Sequence, residues 1–131
     1  MRLWHQDLIK FLPRNQLLGQ HRELCALRGM GFGKKHSTVD YVFNYPYYYL
    51  FKFHMLVIKE MKKRGYKVDP LWENHHYRGK NLLYDYSSFT DIKHCNKLIY
   101  KEHDDTYLKA CLDNLKSKNI ILSITKNSHF P

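Results

Sequence analysis

The sequence predicts an all-α chain folded as one domain over residues 1–131, with three main helices and irregular connections. Apolar residues recur at helical spacing in three stretches, around 17–25, 50–61 and 107–115. Each stretch is bracketed by residues that start or stop helices. At 131 residues the chain can bury one real core and is too short for two. No internal repeat or low-complexity linker divides it.

Residues 1–12, MRLWHQDLIKFL, form a lead-in of mixed apolar and polar residues that ends at Pro13. Proline is tolerated in the first turn of a helix, so the first helix is expected to start near residues 13–15. It runs to Arg28, with Gly29 as an expected left-handed cap. Leu17, Leu18, Leu24 and Cys25 give this helix a buried side, while Gln16, Gln20 and Glu23 fall on the other. Gly19 and Ala26 stand four before and three after Glu23, directly above and below it on the helix surface. A carboxylate between two small residues occupies a notch that a substrate or another backbone can approach closely. Arg22 brings a planar cation to the notch's edge. On an ordinary surface helix the same glutamate is merely solvated, and only the rest of the chain separates the two readings.

Residues 29–38, GMGFGKKHST, read as a flexible basic loop; Lys34 and Lys35 lie in it, and no P-loop pattern is present. Residues 41–53 are dense in aromatics, most of which are expected to fill the core rather than stack on bases. Pro46 opens the second helix, whose stripe of Leu50, Phe53, Val57, Ile58 and Met61 leads to Arg64 and a stop at Gly65. Lys59, Lys62, Lys63 and Arg64 crowd its last turn, where the helix dipole favours cations. Residues 66–105 read as mostly irregular. Asp104 or Asp105 caps a third helix with Tyr107, Leu108, Cys111, Leu112 and Leu115 on its apolar face, ending at 117–119. The β-branched run 120–124 suggests a short extended tail.

The formal charge is +10, unevenly placed: residues 1–67 carry 13 Lys+Arg against 4 Asp+Glu, and residues 68–131 carry 9 against 8. A field of this sign attracts polyanions, of which nucleic acid is the commonest. Cys25, Cys95 and Cys111 form no CxxC, and no apolar signal segment precedes the domain, so a reducing cytoplasm is the expected setting. No apolar run approaches 18 residues, which argues against a membrane span. Among nine histidines, His75, His76, His94 and His103, with Cys95, are the candidate metal ligands. None has the spacing of a zinc finger, ribbon or HExxH site, so neither metal nor cofactor is expected. No GxSxG elbow supports a serine triad.

The chain's first nitrogen is the more informative group. An α-amine has a pKa near 7.7–8.0 against about 10.4 for lysine, so about a tenth of it is free amine at pH 7. That makes it a ready nucleophile toward an electrophilic sugar carbon. Arg2 is too bulky for removal of the initiator residue, so Met1 is expected to stay and to carry that amine.

The run Leu17-Leu18-Gly19-Gln20-His21-Arg22-Glu23-Leu24 resembles the catalytic helix of the phage-type pyrimidine-dimer DNA glycosylase/AP lyase family. HSTVDYVF at 36–43 and LVIKEMKKRGYKV at 56–68 are similar to that family's second helix and its exit. More weakly, Tyr77-Arg78-Gly79 and the helix near 106–118 fall where the family has an aromatic-Arg-Gly turn and a third helix. The resemblance implies a compact all-α fold and cofactor-free chemistry on damaged or abasic nucleotides in duplex DNA. In the family a terminal amine attacks C1′, displaces the base and forms an imine with the opened sugar; β-elimination then cuts the strand. By this resemblance Met1 supplies the nucleophile, Glu23 is the catalytic glutamate, and Arg22 and Arg2 grip DNA. Arg28, Lys34 and Lys35 are assigned phosphate contacts from charge alone. The sequence departs from the family in having Met1 where a threonine is usual and Ala26 where an arginine is usual. It also lacks the aromatic C-terminal segment, its tail reading ILSITKNSHFP. Rival readings are the same lyase chemistry on abasic sites or another lesion, a non-catalytic DNA-binding module of the same fold, and a nucleotide- or RNA-directed protein using the 41–53 aromatics.

Overall fold

The computed structural model describes residues 2–29, 40–78 and 98–122. Among them are three α-helices and no strand: α1 (Arg14–Arg28), α2 (Tyr47–Lys63) and α3 (Asp105–Ser117). The all-α expectation holds. No helix among the described residues is long and apolar enough to cross a membrane.

The lead-in is more ordered than its pattern suggests. Gln6–Phe11 winds into a 3-10 helix, started by His5, whose Nδ1 accepts from the Asp7 amide at 3.0 Å. Leu3, Trp4, Leu8, Ile9 and Leu12 along this segment are all buried. Mixed polarity hid this, because a 3-10 turn repeats every three residues and gives no 3.6-residue stripe.

Pro13 precedes α1, as expected, and the helix ends at Gly29. Gly29 is not left-handed, however; its φ of −80° and ψ of −2° are right-handed. A Cβ there would sit 3.3 Å from the Arg78 carbonyl, a close approach that a larger residue could make only if that carbonyl moved a few tenths of an ångström. At α2, Pro46 stands at the N-cap and Gly65 takes φ +84° past the C-terminus. The Tyr66 amide donates to the Met61 carbonyl and the Gly65 amide to that of Lys62, closing a Schellman motif. At α3, the Asp104 carboxylate accepts from the Tyr107 amide. Asn119 at φ 63° closes it with the same bond pattern, Ile120 to Leu115 and Asn119 to Lys116. Residues 120–122 form no strand; the rest of the expected tail segment lies outside the described residues.

α1 and α2 make the principal helix pair. Leu17, Leu24 and Leu27 of α1, Leu50, Phe53, Val57 and Met61 of α2, and Leu108, Cys111 and Leu115 of α3 share one core with the lead-in. Tyr41, Tyr45, Tyr49 and Phe53 of the aromatic stretch pack on the core, whereas Phe43 is exposed. Tyr41, Tyr45 and Phe53 surround the ring of Tyr100, with centroids 5.0–6.1 Å away. Residues 66–78 return across the α1–α2 pair through a 3-10 turn at Pro70–Glu73, capped by Asp69.

Candidate active-site notch

Glu23 projects half-buried from the middle of α1 into a cavity of about 420 Å³. α1 supplies Asn15, Gln16, Gly19, Gln20 and Glu23 as one wall; Arg2 and Trp4 form another; Asn114 and Lys118, in and just past α3, form the third. The notch expected from Gly19 beside Glu23 is therefore present, while Ala26 is not part of its lining.

Gln20 brings the lead-in to this wall. It is fully buried. Its Oε1 accepts from the Trp4 amide at 2.7 Å, and its Nε2 donates to the Arg2 carbonyl at 2.9 Å and to Glu23 Oε1 at 2.9 Å. One carboxamide thus pairs with the backbone at residues 2 and 4 as a neighbouring strand would, and also holds the carboxylate. The Tyr107 hydroxyl donates to the Leu3 carbonyl, tying the same segment to α3. The Arg2 guanidinium carbon lies 5.9 Å from the Tyr107 ring centroid, and Lys118 Nζ lies 5.4 Å from that of Trp4. Two cations on aromatic faces thus flank one carboxylate. Asn114 Oδ1 is buried at this wall and makes no hydrogen bond.

Burial pushes the Glu23 carboxyl above its ordinary value. The charge of the amino terminus, the bond from Gln20, and Arg22 and Lys118 pull it back only in part. A carboxyl so balanced takes up and releases protons nearer neutrality than a solvated one, as general acid–base work requires.

Of the residues singled out in the sequence, Glu23 and Arg2 line the notch together. Arg22 is exposed on α1 and outside the lining. Met1, Lys34 and Lys35 lie outside the described residues. Arg28 must be reassigned. Its side chain is fully buried, with Nε on the Tyr47 hydroxyl, Nη1 on the Trp72 carbonyl and His54 Nδ1, and Nη2 on the Asn74 and Tyr77 carbonyls. No donor is left to reach a phosphate, so Arg28 organises the interior instead.

Gln20, Trp4, Asn114 and Lys118 were not anticipated. Gln20 had one visible signal, its position three residues before Glu23, but its role depends on the lead-in folding back. The histidines weighed as candidate ligands have other partners among the described residues. His103 accepts from the Gln6 amide at Nδ1 and contacts the Tyr41 hydroxyl at Nε2, and His75 packs on His76. His94 and Cys95 lie outside the described residues. His21, Cys25 and His54 instead converge between α1 and α2, with ligand atoms within 4.8 Å of one another.

A family model described as pyrimidine dimer DNA glycosylase matches residues 1–74, more than half of the chain. The matched part contains Arg2, Trp4, Gln20 and Glu23, whereas Asn114 and Lys118 fall beyond it. No curated protein and no solved structure matches the chain.

Proposed function

The chain belongs to the pyrimidine dimer DNA glycosylase family, and from that premise we propose that it excises the damaged base by attack of its own N-terminal amine and then cuts the strand as an AP lyase, with Glu23 as the catalytic carboxylate. The amine nitrogen of Met1 bonds to C1′ of the damaged nucleotide as the glycosidic bond to the base breaks. Ring opening gives an imine between that nitrogen and C1′. The imine acidifies the C2′ hydrogens; removal of one proton expels the 3′ phosphate, and water then releases the sugar fragment and restores the amine. No step needs a metal or an organic cofactor. Glu23 stabilises the cation that develops on the sugar and moves protons in ring opening and elimination. Arg2 and Arg22 contact phosphates, and the basic half of the chain adds affinity that declines steeply with salt.

The single observation that carries this reading is the Gln20 bridge. One nitrogen of Gln20 holds both Glu23 Oε1 and the Arg2 carbonyl. The residue before Arg2 carries the amine, and consecutive Cα atoms are only about 3.8 Å apart. Gln20 thus holds the carboxylate and the carbonyl of the residue that follows the proposed nucleophile.

A second substrate reading has its own support. The notch wall from Asn114 and Lys118 lies beyond the matched residues, and the tail lacks the family's aromatic segment. The same machinery acting on abasic sites or another lesion is distinguished by comparing a dimer-containing duplex with an abasic one. A DNA-binding module without chemistry is distinguished by borohydride. Reduction of the reaction on an abasic duplex should join protein and DNA covalently, with peptide mapping placing the adduct on the Met1 amine. An adduct on a lysine would overturn the assignment of Met1, and no adduct would overturn the lyase.

A further inference from the structure

Where the lead-in, the start of α1 and the end of α2 meet, one corner of the molecule carries positive charge that the notch does not use. Lys10 of the lead-in and Lys59 and Lys63 of α2 line a hollow of about 490 Å³, with Ile9 and Leu56 on its floor. Arg64 ties the corner together: its Nε donates to Glu60 Oε2 at 2.7 Å and its Nη2 to the Lys10 carbonyl at 3.2 Å. Arg14 reaches the same corner from α1, with its guanidinium carbon 5.3 Å from the ring centroid of Tyr66, just past the end of α2.

These cations are not there to neutralise carboxylates. Glu60 is taken by Arg64 and Glu73 by Lys62, which leaves Asp7 as the hollow's other acid. Among the described residues Lys10, Arg14, Lys59 and Lys63 form no ion pair. Lys10 Nζ instead lies 5.3 Å from the Phe11 ring centroid, as Arg14 lies over Tyr66; an aromatic face steadies a cation without cancelling its charge. Nor does local helix stability place them. The dipole of α2 favours Lys63 at its end, but that of α1 opposes Arg14, which stands in a first turn without an acidic residue. Lys59 and Lys63 are like charges four residues apart on one helix face, a mildly destabilising pair. Lys10 arrives from a separate element.

We propose that Lys10, Arg14, Lys59 and Lys63 form a phosphate-binding surface that takes the arm of duplex DNA flanking the notch. Arg14 immediately precedes Asn15, a residue of the notch wall, so the surface begins where the notch ends. A duplex presents about one charge per 1.7 Å of its axis, and bound phosphates relieve the repulsion that the free chain tolerates. Contacts of this kind hold the duplex in register without reading its sequence.

This surface presupposes duplex DNA as the substrate proposed above, and its test needs no chemistry. Binding of the full chain to a fluorescein-labelled, undamaged duplex is followed by anisotropy over a range of salt. The variant with Lys10, Arg14, Lys59 and Lys63 all changed to Gln should bind at least about tenfold more weakly at low salt, with its salt slope reduced by about three units. On an abasic duplex its KM should rise while kcat stays at the wild-type value. Arg14→Gln alone separates function from folding: it should lose about one unit of slope, yet its Tm should hold or rise, because a cation leaves the positive end of α1. Arg14→Lys should keep the slope. An unchanged slope in the fourfold variant, or an Arg14→Gln chain with lower Tm and full DNA affinity, overturns the surface while leaving the repair reading intact. A wild-type chain that does not bind the duplex overturns both.

Discussion

Gln20 joins the lead-in, α1 and the Glu23 carboxylate with a single carboxamide, which in the proposed mechanism makes it the positioning residue of the notch. Gln20→Leu keeps the volume but strands the buried Trp4 amide and the Arg2 carbonyl, at about 1–3 kcal/mol for each unsatisfied group. The expected result is a lower Tm together with a fall of about 10–100-fold in kcat, as a displaced nucleophile costs, while KM for abasic duplex stays within about twofold. Gln20→Glu separates positioning from general loss of structure. The ionised side chain sets an anion against Glu23 and the Arg2 carbonyl, whereas its protonated form can donate again, so its activity relative to the wild type should recover as the pH falls. Glu23 itself is held at a cost. Burial raises its folded pKa above the ordinary 4.5, so the folded chain prefers the protonated form. The stability this gives is fully present below the unfolded pKa and is lost as pH rises through the folded value. Glu23→Gln should therefore raise Tm at pH 7.5 and leave it unchanged at pH 4. The same change should abolish strand cutting and preserve DNA binding. In the wild type, the carboxylate should add to the rate profile an acid limb above pH 4.5, beside the limb set by the amine.

At the scale of elements, Arg28 links the end of α1 to the returning segment 66–78, whose carbonyls at Trp72, Asn74 and Tyr77 it satisfies. Arg28→Met preserves length and apolar packing but takes from the Trp72 carbonyl its donor, from His54 Nδ1 its partner, and from the Asn74 and Tyr77 carbonyls one donor each, the Tyr77 amide and Tyr47 hydroxyl remaining on those two. It should lower the unfolding free energy by about 3–5 kcal/mol, read from urea midpoints. DNA affinity of the folded fraction and its salt slope should not change, whereas Arg22→Gln should reduce that slope by about one unit. This contrast shows what a sequence can disclose. Local rules placed Pro46, Gly65 and Asp104 at helix ends, because capping depends on residues a few positions apart. The notch beside Glu23 was legible for the same reason: Gly19 is its neighbour on the helix surface. The inward turn of Arg28 was not legible, since its partners lie 19–49 positions away and a cation is on the surface by default. His21 and Cys25 advertise a helical pair, but their third member comes from another helix. Gly29 ends α1 where local rules put a stop, but in an ordinary right-handed conformation, with the residue 78 carbonyl 3.3 Å from where a Cβ would lie.

The whole molecule sets a strongly positive exterior around neutral, buried histidines. Burial lowers the pKa of His5, His21, His54 and His103, and for His103 the fall reaches about 3. For His21 and His54 the nearby arginines push in the same direction, as His5 does for His103; Asp7 opposes the shift at His5 without reversing it. The unfolded chain, with each imidazole near 6.5, binds more protons than the folded one between its folded and unfolded values. Stability must then increase with pH through that window, and it is lost as the pH drops below about 6.5. Each histidine still neutral in the fold contributes a slope of up to about 1.4 kcal/mol per pH unit. Tm should be nearly level from pH 8 to 7 and fall progressively below 6.5, before the carboxylates begin to titrate. A flat Tm between pH 6.5 and 5 would mean that the histidines take up protons inside the fold. In the proposed mechanism the N-terminal amine imposes a limit from the same side, because an α-amine is nucleophilic only as it loses its proton near pH 7.7–8.0. Fold and chemistry are therefore both favoured from neutral pH upward. Histidine-to-glutamine exchange at His5 should relieve the acid loss of stability while leaving the amine's limb of the rate profile in place.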